Sequence, residues 1–111
     1  MRGKLIALIA LGTVAATSAY AQVLNLSGPF QCIQGCGGSG TAIVTQHGWD
    51  LNLVNEIGVP SRAWIDWPGH IWARSWHMGA LYSPDGMTIQ FDNGTVWRRI
   101  VPPPPPLGSR D

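Results

Sequence analysis

Basic residues are scarce in this sequence, and lysine is almost missing from it. The only lysine is Lys4, and from Gln22 onward five arginines stand against six acidic residues, for a formal charge of −1. Binding to a phosphate backbone needs a stripe of positive charge, so we expect no nucleic-acid partner. An anionic membrane surface is equally unfavourable. Without lysine after residue 4, Schiff-base and lysine general-base chemistry are excluded as well.

Metal-ligating and proton-transferring side chains are also few. The only histidines are His47, His70 and His77. The last two are seven residues apart, an odd spacing that turns their side chains to opposite faces of one strand. We therefore expect no metal site and no cofactor. Asp66 lies near His70 and could orient it as a base, but the turn that follows explains this aspartate better. The sequence accordingly predicts no catalytic residue and no enzyme.

One long apolar run is present, and it lies at the start of the chain. Two basic residues precede the apolar segment Leu5–Ala16, and Ala19 and Ala21 supply the small side chains that signal peptidase requires. The run is too short to span a bilayer comfortably, and no second run follows. The sequence therefore predicts a signal peptide over residues 1–21. It also predicts export to the periplasm or beyond, with no stable membrane insertion after cleavage.

The rest of the chain has the length of one small domain, which we place at residues 22–101. Cys32 and Cys36 lie in a glycine-rich stretch with three residues between them. In an oxidising compartment this spacing predicts a disulfide that holds a tight turn and contributes about 2 kcal/mol. The glycines form no helix that would stabilise a thiolate, and two thiols are too few for a zinc site. Residues 102–111 are predicted to be a disordered proline-rich tail, with docking to an aromatic groove as the alternative.

Alternation of apolar and polar residues predicts strands throughout the domain. Ile89 and Phe91 alternate with polar neighbours, and Asn93-Gly94 is the strongest hairpin signal in the chain. No stretch after the signal peptide has a helical period. We expect an all-β fold, an antiparallel meander of seven to eight short strands that closes into a small barrel or sandwich. The predicted strands cover about residues 30–33, 40–46, 49–55, 61–66, 70–76, 79–82, 86–91 and 95–100.

The hairpin around Pro68-Gly69 decides where several tryptophans point. The register that we favour places Ala63 and Ile65 beside Ile71 and Ala73 on one face, because it sorts apolar side chains from the rest. The opposite face then carries a ladder of three tryptophans interleaved with two arginines and an aspartate: Arg62, Trp64 and Asp66 beside Trp72, Arg74 and Trp76. Such a ladder either stiffens the sheet through cross-strand and cation–π contacts or offers a platform to a ligand.

The direction of Trp97 stays open at this point. A two-residue loop at Asn93-Gly94 places Trp97 on the polar face, whereas a bulged three-residue loop turns it inward beside Ile89. All six tryptophans follow residue 22, and flat aromatic faces flanked by charged donors suit sugars or apolar ligands. The candidate ligand-binding residues are Trp64, Trp72, Trp76, Trp97, Arg62 and Arg74.

The C-terminal hairpin also carries a resemblance. The segment Ser83–Arg99, preceded by Leu53–Gly58, resembles an uncharacterised group of small exported bacterial β proteins. Their sequences end in an I-x-[FW]-x-N-G-T-x-W-x-R strand pair, and the resemblance covers most of residues 28–99. It implies a small exported β protein and supplies no catalytic or binding residue. A looser fold-level similarity to avidin- and lipocalin-like barrels rests on Gly48-Trp49-x-Leu51 and on the tryptophan and arginine near the last strand.

The sequence thus predicts an exported, non-catalytic binding module. Its expected ligand is a glycan, a cell-envelope component or a small apolar molecule. One alternative is a protein-interaction or inhibitor domain that uses its turns and its proline tail. Another is a small hydrolase, whose activity would depend on His70 or Asp66. The sequence does not indicate an oligomeric state.

Overall fold

The computed structural model describes residues 24–100, which form eight antiparallel strands and no helix. Strands that are neighbours in sequence pair with each other, and the last strand pairs with the first, so the sheet is a closed barrel. The predicted all-β meander is confirmed, and the barrel rather than the sandwich is correct. The strands are β1 (Gly28–Gln34), β2 (Thr41–His47), β3 (Asp50–Val54), β4 (Pro60–Trp67), β5 (His70–Ala73), β6 (Met78–Tyr82), β7 (Thr88–Phe91) and β8 (Val96–Arg99).

The predicted signal peptide (1–21) and proline-rich tail (102–111) lie outside the described residues. Within residues 24–100, no helix has the length and hydrophobicity needed to cross a membrane. The predicted strand over residues 70–76 is wrong in its second half, because β5 ends at Ala73 and a four-residue turn follows. In this turn the Ser75 N–H donates to Ser61 Oγ (3.0 Å) and the His77 N–H donates to the Arg74 carbonyl (3.2 Å). The Arg74 N–H still donates to the Arg62 carbonyl of β4 (2.9 Å), and beyond it the backbone bonds to a side chain and within the turn rather than extending the ladder.

Inward side chains fill the barrel because successive residues of a strand face opposite sides of the sheet. Along β2, for example, Ala42, Val44 and Gln46 are buried and every residue between them is exposed. The favoured register of the β4–β5 hairpin is confirmed, since Ala63 pairs with Ala73. Ile65 pairs with Ile71 in the same ladder, which places these apolar side chains inside.

The two ends of the barrel are distinguished by their loops. Inward positions near one end include Leu51 and Ile71, and those nearer the other include the small residues Ala42, Ser61 and Ala73 as well as the bulky Leu53 and Phe91. We call the first the closed end, which has the loops 48–49, 68–69 and 83–87. The second is the open end, which has the loops 35–40, 55–59, 74–77 and 92–95.

The segment before β1 plugs the closed end. Leu26 is completely buried there, and its N–H donates to Gln46 Oε1 at 2.7 Å. The Gln46 amide in turn donates to the carbonyls of Leu24 and Gly48, both at 2.9 Å. Each polar atom of the Gln46 side chain therefore has a partner, which buried polar groups require. Within residues 24–100 this segment therefore covers the closed end of the barrel.

Candidate functional site

A cavity lies at the open end, among the four loops that meet there. Its volume is about 450 Å³, within the range of pockets that hold small organic molecules. The cavity has an apolar inner wall, formed by side chains of β6, β7, β8 and the 74–77 turn. Its rim is mostly polar, with one exposed apolar side chain, Ile57. The inner wall consists of Trp76, Met78, Phe91 and Trp97, and the rest of the rim includes Gly35, Gly37, Asn55, Glu56, Asn93 and Thr95.

Three aromatic rings pack against one another in the inner wall. The ring centroids of Phe91 and Trp97 are 4.7 Å apart with an interplanar angle of 65°. Trp76 contacts both rings edge-on, at 5.9 Å from Phe91 and 6.3 Å from Trp97. Edge-to-face pairs of this kind add about 0.5–1.5 kcal/mol to the gain from burial. The aromatic cluster therefore gives the cavity a well-packed apolar wall.

Trp97 reaches this wall because the β7–β8 hairpin has a three-residue loop. The Gly94 N–H donates to the Phe91 carbonyl (2.9 Å), and the Phe91 N–H donates to the Thr95 carbonyl (2.8 Å). Gly94 has φ = 92°, the left-handed conformation that a bulged three-residue loop requires. Trp97 then pairs with Ile89, faces inward and is only 1% exposed. Of the two predicted alternatives for Trp97, the inward one is correct.

Trp76 also turns toward the cavity, which differs from the prediction. The ladder predicted on the outer face included Trp76, but this residue lies in the turn after Ala73 and packs half-buried against the core. The next residue, His77, has φ = 50°, an uncommon backbone conformation for a residue other than glycine. The predicted position of Trp76 on the outer face is therefore wrong.

The indole nitrogens of Trp76 and Trp97 are buried and have no hydrogen-bond partner among the described residues. A buried donor without a partner costs about 1–3 kcal/mol, and native proteins leave few such groups. Both tryptophans line the same cavity. Both nitrogens lie below the accessible surface of the cavity, so an acceptor placed there reaches them only when the surrounding side chains shift.

Hydrogen bonds between loops hold the rim of the cavity. Glu56 Oε2 accepts the Gly37 N–H at 2.7 Å, and Thr95 Oγ1 donates to the Gly35 carbonyl at 3.0 Å. At Gly40 a β-carbon would collide with the Glu56 backbone, so only glycine permits the close approach of these two loops. The glycine-rich stretch between β1 and β2 is thus a wall of the cavity and not merely a flexible connection.

The predicted disulfide between Cys32 and Cys36 is confirmed, with Cα atoms 5.8 Å apart. It joins the inner part of β1 to the loop that carries Gly35 and Gly37. Because those two glycines line the cavity, the bridge restrains one side of its rim. A disulfide in a small β domain is compatible with an extracellular location.

The other four candidate residues lie on the outer surface of the barrel. Trp64 and Trp72 are opposite each other in the β4–β5 ladder, and their side chains face away from the core. Trp64 is 37% exposed and Trp72 is half-buried. Arg62 and Arg74 are exposed on the same two strands and the turn after them, and neither forms an ion pair within residues 24–100. The six candidate residues therefore divide into a pair in the cavity and a group of four outside.

Asp66 and His70, four residues apart in sequence, are in contact, and the aspartate orients the imidazole ring. Asp66 Oδ1 lies 2.6 Å from His70 Nδ1 and also accepts the Trp67 N–H at 3.1 Å. The Trp67 ring stacks on the imidazole, with centroids 3.9 Å apart and an angle of 10°. The imidazole covers Gly79, where a β-carbon would lie 2.6 Å from Nε2. Since this unit lies outside the barrel at the β4–β5 turn, it anchors the hairpin and takes no part in the cavity.

Sequence reasoning missed the cavity itself and most of its lining, including Glu56, Met78 and Phe91. One signal was present, since alternate loops of a meander meet at the same end of a barrel. Within the described part of the chain, no three His, Cys, Asp or Glu side chains form a group that could hold a metal ion.

Comparison of the chain with family models, curated proteins and solved structures gives no match. The function must therefore be argued from the site.

Proposed function

We propose that this protein is an exported, non-catalytic binding module that takes a small ligand into the open end of its barrel. The observation that carries the proposal is a 450 Å³ cavity whose inner wall includes Trp76 and Trp97, two tryptophans whose buried indole N–H groups have no partner within residues 24–100. The signal peptide predicted at residues 1–21 and the Cys32–Cys36 disulfide support export.

The energetics of the cavity favour an amphipathic ligand. Burial of an apolar body against the aromatic wall contributes about 25 cal/mol for each Å² removed from water. An oxygen acceptor on the same ligand recovers part of the cost of the unpaired donors, since a neutral hydrogen bond contributes about 0.5–1.5 kcal/mol net. Both indole nitrogens are buried beneath the wall, so a ligand acceptor reaches one of them only as the aromatic cluster adjusts to the ligand.

Indole N–H resonances provide the test, because the chain has six tryptophans and each contributes one resonance in a ¹H–¹⁵N spectrum. Single Trp→Phe variants assign them. Acetanilide is a suitable first probe, since it combines a phenyl ring with one carbonyl acceptor. We expect acetanilide to move the Trp76 and Trp97 resonances and to leave those of Trp49 and Trp64 in place.

A matched pair of variants then measures the contribution of one donor. Trp76→Phe keeps an aromatic ring and removes the N–H, so it should weaken acetanilide binding up to about tenfold. Trp72→Phe is the same change on the outer surface and should leave the affinity unaltered. Equal weakening by both variants, or movement of outer-surface resonances alone, would show that the cavity is not the binding site.

A second candidate function is glycan binding on the outer face. It is favoured by the exposed indole of Trp64 beside Trp72 and by Arg62 and Arg74 near them, which form no ion pair within the described part of the chain. The same spectra test it with N,N′-diacetylchitobiose as the probe. Movement of the Trp64 and Trp72 resonances, abolished in a folded Trp72→Ala variant, would support this candidate over the cavity. If Trp72→Ala unfolds the protein, the indole is structural and the glycan candidate is rejected.

A further inference from the structure

The cavity has an uneven distribution of charge. Glu56 is the only ionisable side chain that lines it, and no Arg, Lys or His contributes to the lining among residues 24–100. Glu56 is half-buried, and its Oε2 atom is fixed by the Gly37 N–H at 2.7 Å. Its Oε1 atom accepts no hydrogen bond from the described residues. One carboxylate oxygen at the rim therefore remains free to accept a hydrogen bond or to contact a cation.

The inner wall offers the opposite polarity. Its only polar groups are the indole N–H donors of Trp76 and Trp97, and the rest of the wall is the apolar surface of Met78 and Phe91. A ligand that satisfies both regions carries an acceptor at its inner end and a donor or positive charge at its outer end. An anionic group at the outer end would face the Glu56 carboxylate, and this repulsion is stronger near a protein surface than in bulk water.

We propose that the cavity is selective for small organic cations that combine an ammonium group with an apolar body and an oxygen acceptor. In this arrangement the ammonium group contacts Glu56 at the rim and the apolar body lies against Phe91 and Met78. The acceptor pairs with an indole N–H that becomes accessible when the aromatic wall adjusts to the ligand. This inference rests on the proposed function, because it names the class of ligand that the same cavity takes.

A series of probes that share one acetanilide body tests the charge preference. The series is 4-acetamidobenzylamine (a cation), 4-acetamidobenzyl alcohol (neutral) and 4-acetamidobenzoate (an anion), each titrated while the Trp97 indole resonance is followed. We expect the cation to bind about tenfold more tightly than the alcohol, and the benzoate to bind most weakly. Because the interaction is electrostatic, the difference should shrink as salt is added. A fourth probe, 4-isopropylbenzylamine, lacks the carbonyl and should bind more weakly than the acetamido cation.

Variants of two carboxylates identify the group responsible. Glu56→Gln removes the charge and keeps an oxygen that can accept the Gly37 N–H, so the fold of the rim should survive. We expect the cation and the alcohol to bind this variant with similar affinity. Asp50→Asn is the matched control, since Asp50 is exposed on the outer surface at the closed end. It should leave the tenfold preference unchanged.

The outcomes separate the two proposals. If the three acetamido probes bind the unmodified protein equally, the cation preference is refuted and the cavity remains a binding site. If the preference persists in Glu56→Gln, or falls equally in Asp50→Asn, Glu56 is not its source and the inference is also refuted. If neither acetanilide nor any charged probe moves the Trp97 resonance, the proposed function fails, and this inference fails with it.

Discussion

Arg99 lies at the closed end of the barrel as a buried cation without a carboxylate partner among the described residues. It is 4% exposed. Its guanidinium donates to the carbonyls of Gly86 (3.0 Å), Ser27 (2.8 Å) and Asn25 (3.2 Å), and it lies 4.7 Å from the ring centroid of Phe30. Burial lowers the pKa of Arg99, yet an arginine stays protonated in proteins. Within residues 24–100 the charge is therefore stabilised by three backbone carbonyls and the face of the Phe30 ring.

We predict that Arg99→Lys lowers the free energy of unfolding by about 2–4 kcal/mol. Hydrogen bonds to charged groups contribute about 1.5–3 kcal/mol each. A lysine keeps the charge and its desolvation cost. Its compact ammonium group, however, cannot reach all three carbonyls, because they are spaced around the planar guanidinium of arginine. The loss of two such bonds amounts to about 3–6 kcal/mol, and water that enters the closed end offsets part of this loss.

Urea denaturation followed by tryptophan fluorescence measures the effect. The matched control is Arg98→Lys, the same change at the neighbouring position, where the side chain is exposed and forms no hydrogen bond within residues 24–100. We expect the control to change stability by less than about 0.5 kcal/mol. In a thermal scan, Arg99→Lys should lower Tm by about 8 °C or more. Equal stability of the two variants would refute the argument that the three carbonyl contacts hold the closed end together.

Three further predictions concern other parts of the barrel. The pKa of Asp85 is lowered, chiefly by the hydrogen bond from Ser83, so Ser83→Ala should raise it toward its ordinary value in an NMR titration. The pKa of Asp85 is lower in the folded state than in the unfolded state, so the stability that it contributes is present at neutral pH and is lost as the pH falls through the folded-state pKa. An Asp85 pKa that is the same in Ser83→Ala as in the unmodified protein would contradict this prediction. Gly79→Ala should cost about 1–3 kcal/mol in urea denaturation, because its β-carbon would displace the imidazole that covers it, and an undisturbed histidine spectrum would contradict this. Reduction of the Cys32–Cys36 disulfide should lower stability by about 2 kcal/mol, and no shift in the urea midpoint would show that the bridge does not constrain the unfolded chain.

Most of the fold could be predicted from the sequence because its determinants are local. The hairpin at Pro68-Gly69 and the register that places Ile65 beside Ile71 both follow from turn residues and alternation. Closure could not be predicted in the same way. It depends on the pairing of β1 with β8, for example Phe30 with Arg99, and nothing in either strand alone distinguishes a barrel from a sandwich.

The candidate site was harder to predict than the fold, since two of its residues depend on loop geometry. Asn93-Gly94 fits both a two-residue and a three-residue loop, and the left-handed conformation of Gly94 decides that Trp97 faces inward. Trp76 was misplaced because residues 74–76 carry no turn signal. The Ser75 N–H donates to the hydroxyl of Ser61, which lies 14 positions earlier, on β4. This contact accompanies the early end of β5, after which Trp76 turns toward the cavity.

The closing seam between β1 and β8 also has a consequence for folding. Every other pairing joins neighbours in sequence, and isolated hairpins form within about 1–10 μs. The seam brings together residues as far apart as Ser27 and Arg99, 72 positions along the chain, so it carries the largest loop-closure entropy. Until the seam forms, both terminal strands present unpaired edges that can recruit another chain. The risk of aggregation is therefore highest before β1 pairs with β8. The hydrogen bond from Arg99 to Ser27 stabilises this pairing, which removes both unpaired edges at once.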